Sequence, residues 1–371
     1  MEPAVLRYAN LYRVISKTFG LRLRPVGTFG LIQLQHALTS ATMGLDRVLY
    51  PSCSTEALRS PVFVLGNPRS GTTFLHHTLA DSGTVCAFEL WEMMFPAISA
   101  RKMLGGAIDR FAPLSPARFH RSEAHPTTLR GVETDDAMGL FHFVDGPFVW
   151  SYFYAWQDDW WSEQSRRVFD PSSQPPGQSE RWFAYLEACW RRNVVYKGID
   201  RIAVKSSSMT IQAEALVQRY PDCRILYCVR DPLEVIPSGM SLVTGVLEES
   251  YQMSRSTTAE ARAKFFENLY QASCHFYRAF YETWKQGLLP EKNLRIVPYP
   301  SLMRDLEGTM NSIFEFIEVQ PSREVRERIH EQSEKQRTRV SKHKYSLAEF
   351  GLDEERIRRD LAFVYEAFSI D

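Results

Sequence analysis

The sequence lacks most of what would assign it to a special class. It has no net charge, 44 basic residues standing against 44 acidic ones. No global field therefore draws it to nucleic acid, and any anion site must be built locally. Its six cysteines, Cys53, Cys86, Cys189, Cys223, Cys228 and Cys274, include no C-x-x-C pair. That excludes a zinc ribbon and a tight secreted framework, and free thiols in a reducing, cytoplasmic compartment are expected. The opening residues carry charge early and have no long apolar run, so neither a signal peptide nor a spanning helix is expected there. There is no internal repeat, no low-complexity tract and no spacing of ligands that asks for a metal.

What remains is ordinary globular composition, 44% hydrophobic and 24% charged over 371 residues. It is read as one domain spanning 1–371, with a helical extension over residues 1–60. Residues 4–21 set Leu6, Tyr8, Leu11, Tyr12, Ile15 and Phe19 among Arg7, Arg13 and Lys17. Such a helix either packs on the core or makes peripheral membrane contact. Short β-branched runs at Val62–Leu65, Ile202–Val204, Ile225–Val229 and Leu294–Val297 read as buried parallel strands, the first three each followed by a helical pattern. The fold class is α/β, a doubly wound parallel sheet flanked by helices, with ligands beyond the carboxyl ends of the strands. Longer helices are expected over about 256–287, Leu302–Ile317 and Glu354–Phe368, and a loop over Asp170–Gly177.

The segment from Val62 to Leu75 is a strand, a turn with two glycines, and the start of an amphipathic helix, the build of an anion cradle. Gly66-Asn67-Pro68-Arg69-Ser70-Gly71-Thr72-Thr73 fits the Walker A frame except that Thr72 stands in the lysine position. A triphosphate enzyme uses that lysine, with magnesium, to neutralise charge. A phosphosulfate carries less charge, and Arg69 with the backbone amides and the hydroxyls of Ser70, Thr72 and Thr73 could suffice for it without metal. Further on, a strand ending at Val229 delivers Arg230, Pro232 opens a helix, and Ser238 lies about two turns along it, so arginine and serine can converge on one phosphate.

These two segments resemble the sulfotransferases, bacterial-type and Golgi-like branches included. In that family the 5′-phosphosulfate loop reads P-[KR]-S-G-T-T, and a strand-end arginine with a serine eight residues later holds the 3′-phosphate. The resemblance covers about residues 61–365 and implies a P-loop-like core. It also implies 3′-phosphoadenosine 5′-phosphosulfate (PAPS) as co-substrate, the bisphosphate PAP as product, and no metal. By the same resemblance Arg69, Ser70, Gly71, Thr72 and Thr73 hold the phosphosulfate, while Arg230 and Ser238 hold the 3′-phosphate. Lys205, at a strand end followed by Ser206, Ser207 and Ser208, either stabilises the leaving phosphate or is a surface lysine. Tyr299-Pro300-Ser301-Leu302 stands where relatives carry Tyr-Glu-Asp-Leu. Lys342, His343 and Lys344 lie in a basic stretch similar to the loop that closes over the nucleotide, a pattern that also fits a solvated charge run.

Transfer to an alcohol needs a base in reach of its hydroxyl. Glu89, twenty residues beyond Arg69, is the first choice and Glu92 the second, because several relatives carry a glutamate here; His125 is a third. Glu133, Asp135 and Asp136 either face a polar acceptor or cap a helix. The aromatic run from Phe141 to Trp161 fits the wall of an apolar acceptor cleft, the packing of a core, or a box for a choline-like cation. Extra helical segments would form the acceptor side. The expected reaction moves a sulfuryl group from PAPS to a hydroxyl of a small-molecule or lipid-like acceptor. The alternatives are a P-loop kinase or nucleotide hydrolase with an atypical Walker A loop, and a non-catalytic PAP-binding protein. No nucleic-acid partner is expected, and no oligomeric state is assigned.

Overall fold

The computed structural model describes residues 3–110, 128–132, 134–157, 159–337, 346–368 and 370. Its contacts group into two compact units. One comprises Met1–Ala57, Phe88–Tyr196 and Met240–Ala272; the other comprises Leu58–Ala87, Lys197–Gly239 and Ser273–Asp371.

The second unit holds the sheet. Its strands are β1 (Val62–Leu65), β2 (Ala203–Lys205), β3 (Arg224–Val229) and β4 (Leu294–Pro298), all parallel, in the order β2-β1-β3-β4. The central strand β1 is fully buried, as is β3 from Ile225 on, which is why both read as unbroken apolar runs. On one face Val62, Val64, Leu226 and Cys228 pack against Leu75 and Leu79 of the Thr72–Asp81 helix and against Met310 and Ile313 of the Leu306–Phe316 helix. On the other, Tyr227 stacks on Phe280 with ring centroids 3.4 Å apart. Burying each such aliphatic side chain stabilises the fold by about 1.5–3 kcal/mol.

All four expected strands form, with β2 displaced by one residue because Ile202 makes only an isolated bridge to Cys86. Two expected helices each divide. The stretch expected as Leu302–Ile317 is Tyr299–Arg304 followed by Leu306–Phe316, because the Asp305 carboxylate accepts the Gly308 amide at 2.9 Å and starts a new helix. Glu354–Phe368 breaks at Leu361, which leaves helical geometry at φ −121°.

The first unit is helical, and its N-terminal region forms two helices, Ala4–Phe19 and Arg24–Leu49. Leu11, Ile15 and Phe19 are buried, so that stripe of the first helix is a packing face. Near the end of the second, buried Asp46 accepts from the amides of Ile98 and Ser99 at 2.7 and 2.9 Å and from Arg192 Nε at 3.0 Å. A buried carboxylate is tolerable only with such a full set of donors. Much of the aromatic run is core: Trp150 and Tyr154 are buried, and Trp156 stacks on Phe265 at 4.1 Å. Asp135 caps a 3-10 helix through the Ala137 amide, and Asp136 accepts from Trp190 Nε1 at 2.9 Å, so both are structural anchors. Residues 170–177 form a loop with one 3-10 turn, Pro171–Ser173, capped by Asp170. His36 and His142 stack at 3.7 Å beside a cavity of about 290 Å³ that Arg7 and Arg181 also line.

Candidate active site

In the sheet unit, β1 ends at Leu65 and the chain turns through Gly66 to Gly71 into the Thr72–Asp81 helix. The turn is tight enough to exclude side chains at two points. A Cβ on Gly66 would lie 2.3 Å from the Cys228 carbonyl oxygen, and one on Gly71 would lie 2.8 Å from the Tyr299 ring, and both glycines have positive φ. Arg69 also sits at positive φ, 79°, a conformation that costs a non-glycine residue on the order of 1 kcal/mol. Such strain is retained where a loop is shaped around a ligand. The Gly66 amide donates to Thr210 Oγ1 at 3.0 Å, tying the loop's base to the segment after β2. The first-turn amides of the following helix have no intrahelical acceptors and point toward the space above the loop.

Ser70 is fully buried, and its hydroxyl has no hydrogen-bond partner. Leaving a buried hydroxyl unsatisfied costs about 1–3 kcal/mol, a cost that an oxygen of a bound anion would relieve.

The second anion segment meets the first directly. Arg69 Nε donates to Ser238 Oγ at 2.9 Å, and Arg230 Nη1 reaches the Arg69 carbonyl at 3.5 Å. Residues 161 or more apart in sequence thus form one cluster. Arg230 is held in three ways. Its guanidinium pairs with Glu234 at 2.5 Å, it lies 4.1 Å from the Tyr299 ring centroid, and its carbonyl accepts from Tyr277 Oη at 3.0 Å. Asp231, one residue on, accepts from the Leu233 amide at the start of the Pro232–Tyr251 helix and from Tyr365 Oη at 2.7 Å. Lys205 is 8% exposed at the end of β2, in register with Val64, and Ser206, Ser207 and Ser208 are buried after it.

Thr210 and Glu234 were not picked out by sequence reasoning, and Tyr299 only as part of the segment that resembles Tyr-Glu-Asp-Leu, with no role assigned to it. Tyr299 carried a signal, since it directly follows the strand-end Pro298. The contact of Thr210 depends on the sheet bringing separate strand ends together, whereas Arg230 and Glu234 stand four residues apart, a spacing that sequence alone shows.

In the helical unit, Glu89 is the N-cap of the Leu90–Met94 helix and Glu92 completes the capping box, its Oε2 accepting the Glu89 amide at 2.8 Å. Glu89 Oε2 accepts from Trp91 Nε1 at 2.7 Å and lies 3.9 Å from Arg130, with the side chain about a quarter exposed. Glu92 is 2% exposed, and its Oε1 lies 4.0 Å from the fully buried Arg101. Its carboxylate is committed to the cap and to that arginine. His125, Glu133, Lys342, His343 and Lys344 lie outside the described residues.

The sequence matches the profile described as "Sulfotransferase family" over residues 61–323, the stretch that contains both anion segments. The chain belongs to the sulfotransferase family. No curated protein matches the sequence significantly. Among solved structures it is similar to the sulfotransferase STF9 from Mycobacterium avium, at 17% identity, covering 89% of this chain and 82% of that one with TM-score 0.69. It is similar too to STF1 from Mycobacterium tuberculosis H37Rv, at 16% identity, 97% and 91% coverage and TM-score 0.70. These likenesses identify the fold, the P-loop-like α/β core expected from the sequence.

As a sulfotransferase the protein takes its sulfuryl group from PAPS and passes it to an acceptor hydroxyl. The residues fit that donor. The orphaned Ser70 hydroxyl, the glycine-lined cradle and the Arg69–Ser238–Arg230 cluster are of the kind that would suit a nucleotide phosphorylated at both ends. Triphosphate transfer is not favoured in a loop with Thr72 at the lysine position.

Proposed function

We propose that this sulfotransferase acts on a small-molecule or lipid-like alcohol, with Glu89 as the base. The observation that carries the donor side of this reading is the Arg69 Nε to Ser238 Oγ hydrogen bond, which joins the phosphosulfate loop to the 3′-phosphate pair. Arg69, Ser70, Gly71, Thr72 and Thr73 would grip the phosphosulfate, while Arg230 and Ser238 take the 3′-phosphate. Arg230 would exchange its Glu234 partner for the phosphate. Lys205 is placed in the role of stabilising charge on the leaving phosphate, and Lys342, His343 and Lys344 in closing over the nucleotide.

The reaction is in-line. The acceptor oxygen bonds to sulfur as its proton passes to the Glu89 carboxylate, and the bond from sulfur to the bridging oxygen breaks to release PAP. Glu89 is favoured over Glu92 because it is the more accessible of the two, whereas Glu92 is buried against Arg101. Trp91 Nε1 and the capping box hold its carboxylate in one orientation, which suits a positioned base. His125 is the alternative base. Half-buried aromatics such as Phe148 and Phe153 suit an apolar acceptor. Six buried cysteines, none in a disulfide, suit a reducing, cytoplasmic setting.

The test is incubation with labelled PAPS and a panel of hydroxylated lipids, sterols, phenols, sugars and amino alcohols, with the sulfated product detected by mass. Glu89→Gln is expected to lower kcat by roughly 10²–10⁴ while leaving PAP affinity unchanged. Full activity in that variant refutes the assignment of the base. PAP binding with no product from any acceptor makes the protein a nucleotide-binding relative without turnover.

A further inference from the structure

Residues 3–45 contain five basic residues, Arg7, Arg13, Lys17, Arg22 and Arg24, and no acidic one, although the whole chain is neutral. The same stretch concentrates the exposed apolar surface. Of the large hydrophobic side chains exposed among the described residues, all but Met103 and Leu288 lie between Val5 and Leu49. Leu21 and Leu23, in and beside the turn between the first two helices, are 83% and 82% exposed. Along the Arg24–Leu49 helix, Leu31, Leu34, Leu38, Leu45 and Val48 are each about half exposed or more. Their steps of three, four and seven put them on one face.

Between Arg24 and Asp46 that helix carries no Asp, Glu, Lys or Arg, and Asp46 is buried against Arg192. The face is therefore uncharged for roughly 30 Å, with the exposed residues Arg24 and Arg47 near its two ends. A soluble monomer rarely shows a continuous apolar patch of more than a few hundred Å², and a face of this kind marks an interaction surface. Charge decides what it suits. Arg7 pairs with Asp145, but Arg13, Lys17, Arg24 and Arg47 are exposed; an anionic bilayer supplies counter-charge to these cations and takes up the leucines at the headgroup boundary, which a second copy presenting the same cations does not.

We infer that the segment Leu21–Leu49 is a docking surface for an anionic lipid bilayer. It lies on the membrane and does not cross it, since no described helix is long and apolar enough to span. Within residues 4–21, Leu11, Ile15 and Phe19 are buried, so the apolar contact is carried chiefly by Leu21, Leu23 and the helix that follows, with Arg13 and Lys17 supplying charge.

Co-sedimentation of the full chain with vesicles of phosphatidylcholine and phosphatidylglycerol, against phosphatidylcholine alone, tests this without reference to turnover. Binding is expected only with the anionic lipid and is expected to weaken with salt. Each of Arg13→Ser, Lys17→Ser and Arg24→Ser lowers partitioning about fivefold. The combination Leu31→Gln, Leu38→Gln and Leu45→Gln lowers it by roughly tenfold or more, with helix content and melting unchanged by circular dichroism. Wild-type protein that stays in the supernatant with both vesicles overturns the inference, as does a triple variant that binds like wild type. A dimer in ultracentrifugation that the triple variant abolishes, without vesicle binding, assigns the face to a second copy instead.

Discussion

Replacing Gly66 by alanine asks whether the loop is shaped for the donor by backbone geometry. Two costs add. At φ +135° an alanine is strained by about 1–3 kcal/mol. Its Cβ would also lie 2.3 Å from the Cys228 carbonyl oxygen and 2.8 Å from Ser70 Oγ. Cys228 sits on β3, which is paired on both sides, so its carbonyl cannot withdraw without breaking the ladder. The loop must move instead, by about 1 Å to restore ordinary contact, and a displacement of that size in a binding constellation costs roughly 100-fold. Gly66→Ala should therefore destabilise by about 3 kcal/mol, roughly 4 °C in Tm for a chain of 371 residues, and weaken PAP binding at least 100-fold by calorimetry. Gly83→Ala is the control. Gly83 has φ +68° and nothing within 4 Å of the added Cβ, so it should cost only about 1 kcal/mol and leave PAP affinity intact. A Gly66→Ala protein that binds PAP within threefold of wild type refutes the reasoning.

Other expectations follow from single contacts. Ser238→Ala removes the acceptor for Arg69 Nε and the hydroxyl proposed to hold the 3′-phosphate; PAP affinity should fall about tenfold, with Tm in the absence of ligand little changed. Tyr227 is wholly buried, with a hydroxyl that lacks a partner, so Tyr227→Phe should raise Tm, the gain being about 1 kcal/mol. A drop in Tm would show that the hydroxyl is satisfied. His142 Nδ1 faces the Gly139 carbonyl at 3.0 Å and so carries the proton, and burial, with His36 stacked beside it, pushes its pKa down to about 3. A histidine depressed on folding contributes stability fully above the unfolded value near 6.5 and loses it as pH falls toward 3, by at most about 1.4 kcal/mol per pH unit. Asp145, raised by burial, acts in the opposite direction, so the difference between wild type and His142→Phe isolates the imidazole. Equal Tm profiles for the two proteins between pH 7 and about 4.5 would remove the histidine from the pH response.

Local chemistry determined the strands and the phosphate loop. A strand buried on both faces must be apolar along its whole length, and a loop that wraps an anion needs glycines at the close approaches, so Val62–Leu65 and Gly66–Gly71 were legible from their residues. The Arg230 to Ser238 spacing was legible for the same reason, being two turns of one helix. Helix boundaries were less so. Asp305 and Leu361 end helices through a side-chain cap and a single backbone angle, which leave the apolar period on either side intact.

Only tertiary structure decided which charges meet. The Arg69–Ser238 bond and the packing of the Tyr299 ring on Arg230 depend on the β2-β1-β3-β4 order, which sets strand ends side by side whatever their distance in sequence. Tertiary packing also separated Glu89 from Glu92, two acids alike in sequence, by burying one against Arg101 and leaving the other partly open. The same packing buried one apolar stripe at the N-terminus and exposed the next. A period of 3.6 announces that a helix has an apolar face, and only its neighbours determine whether anything covers it.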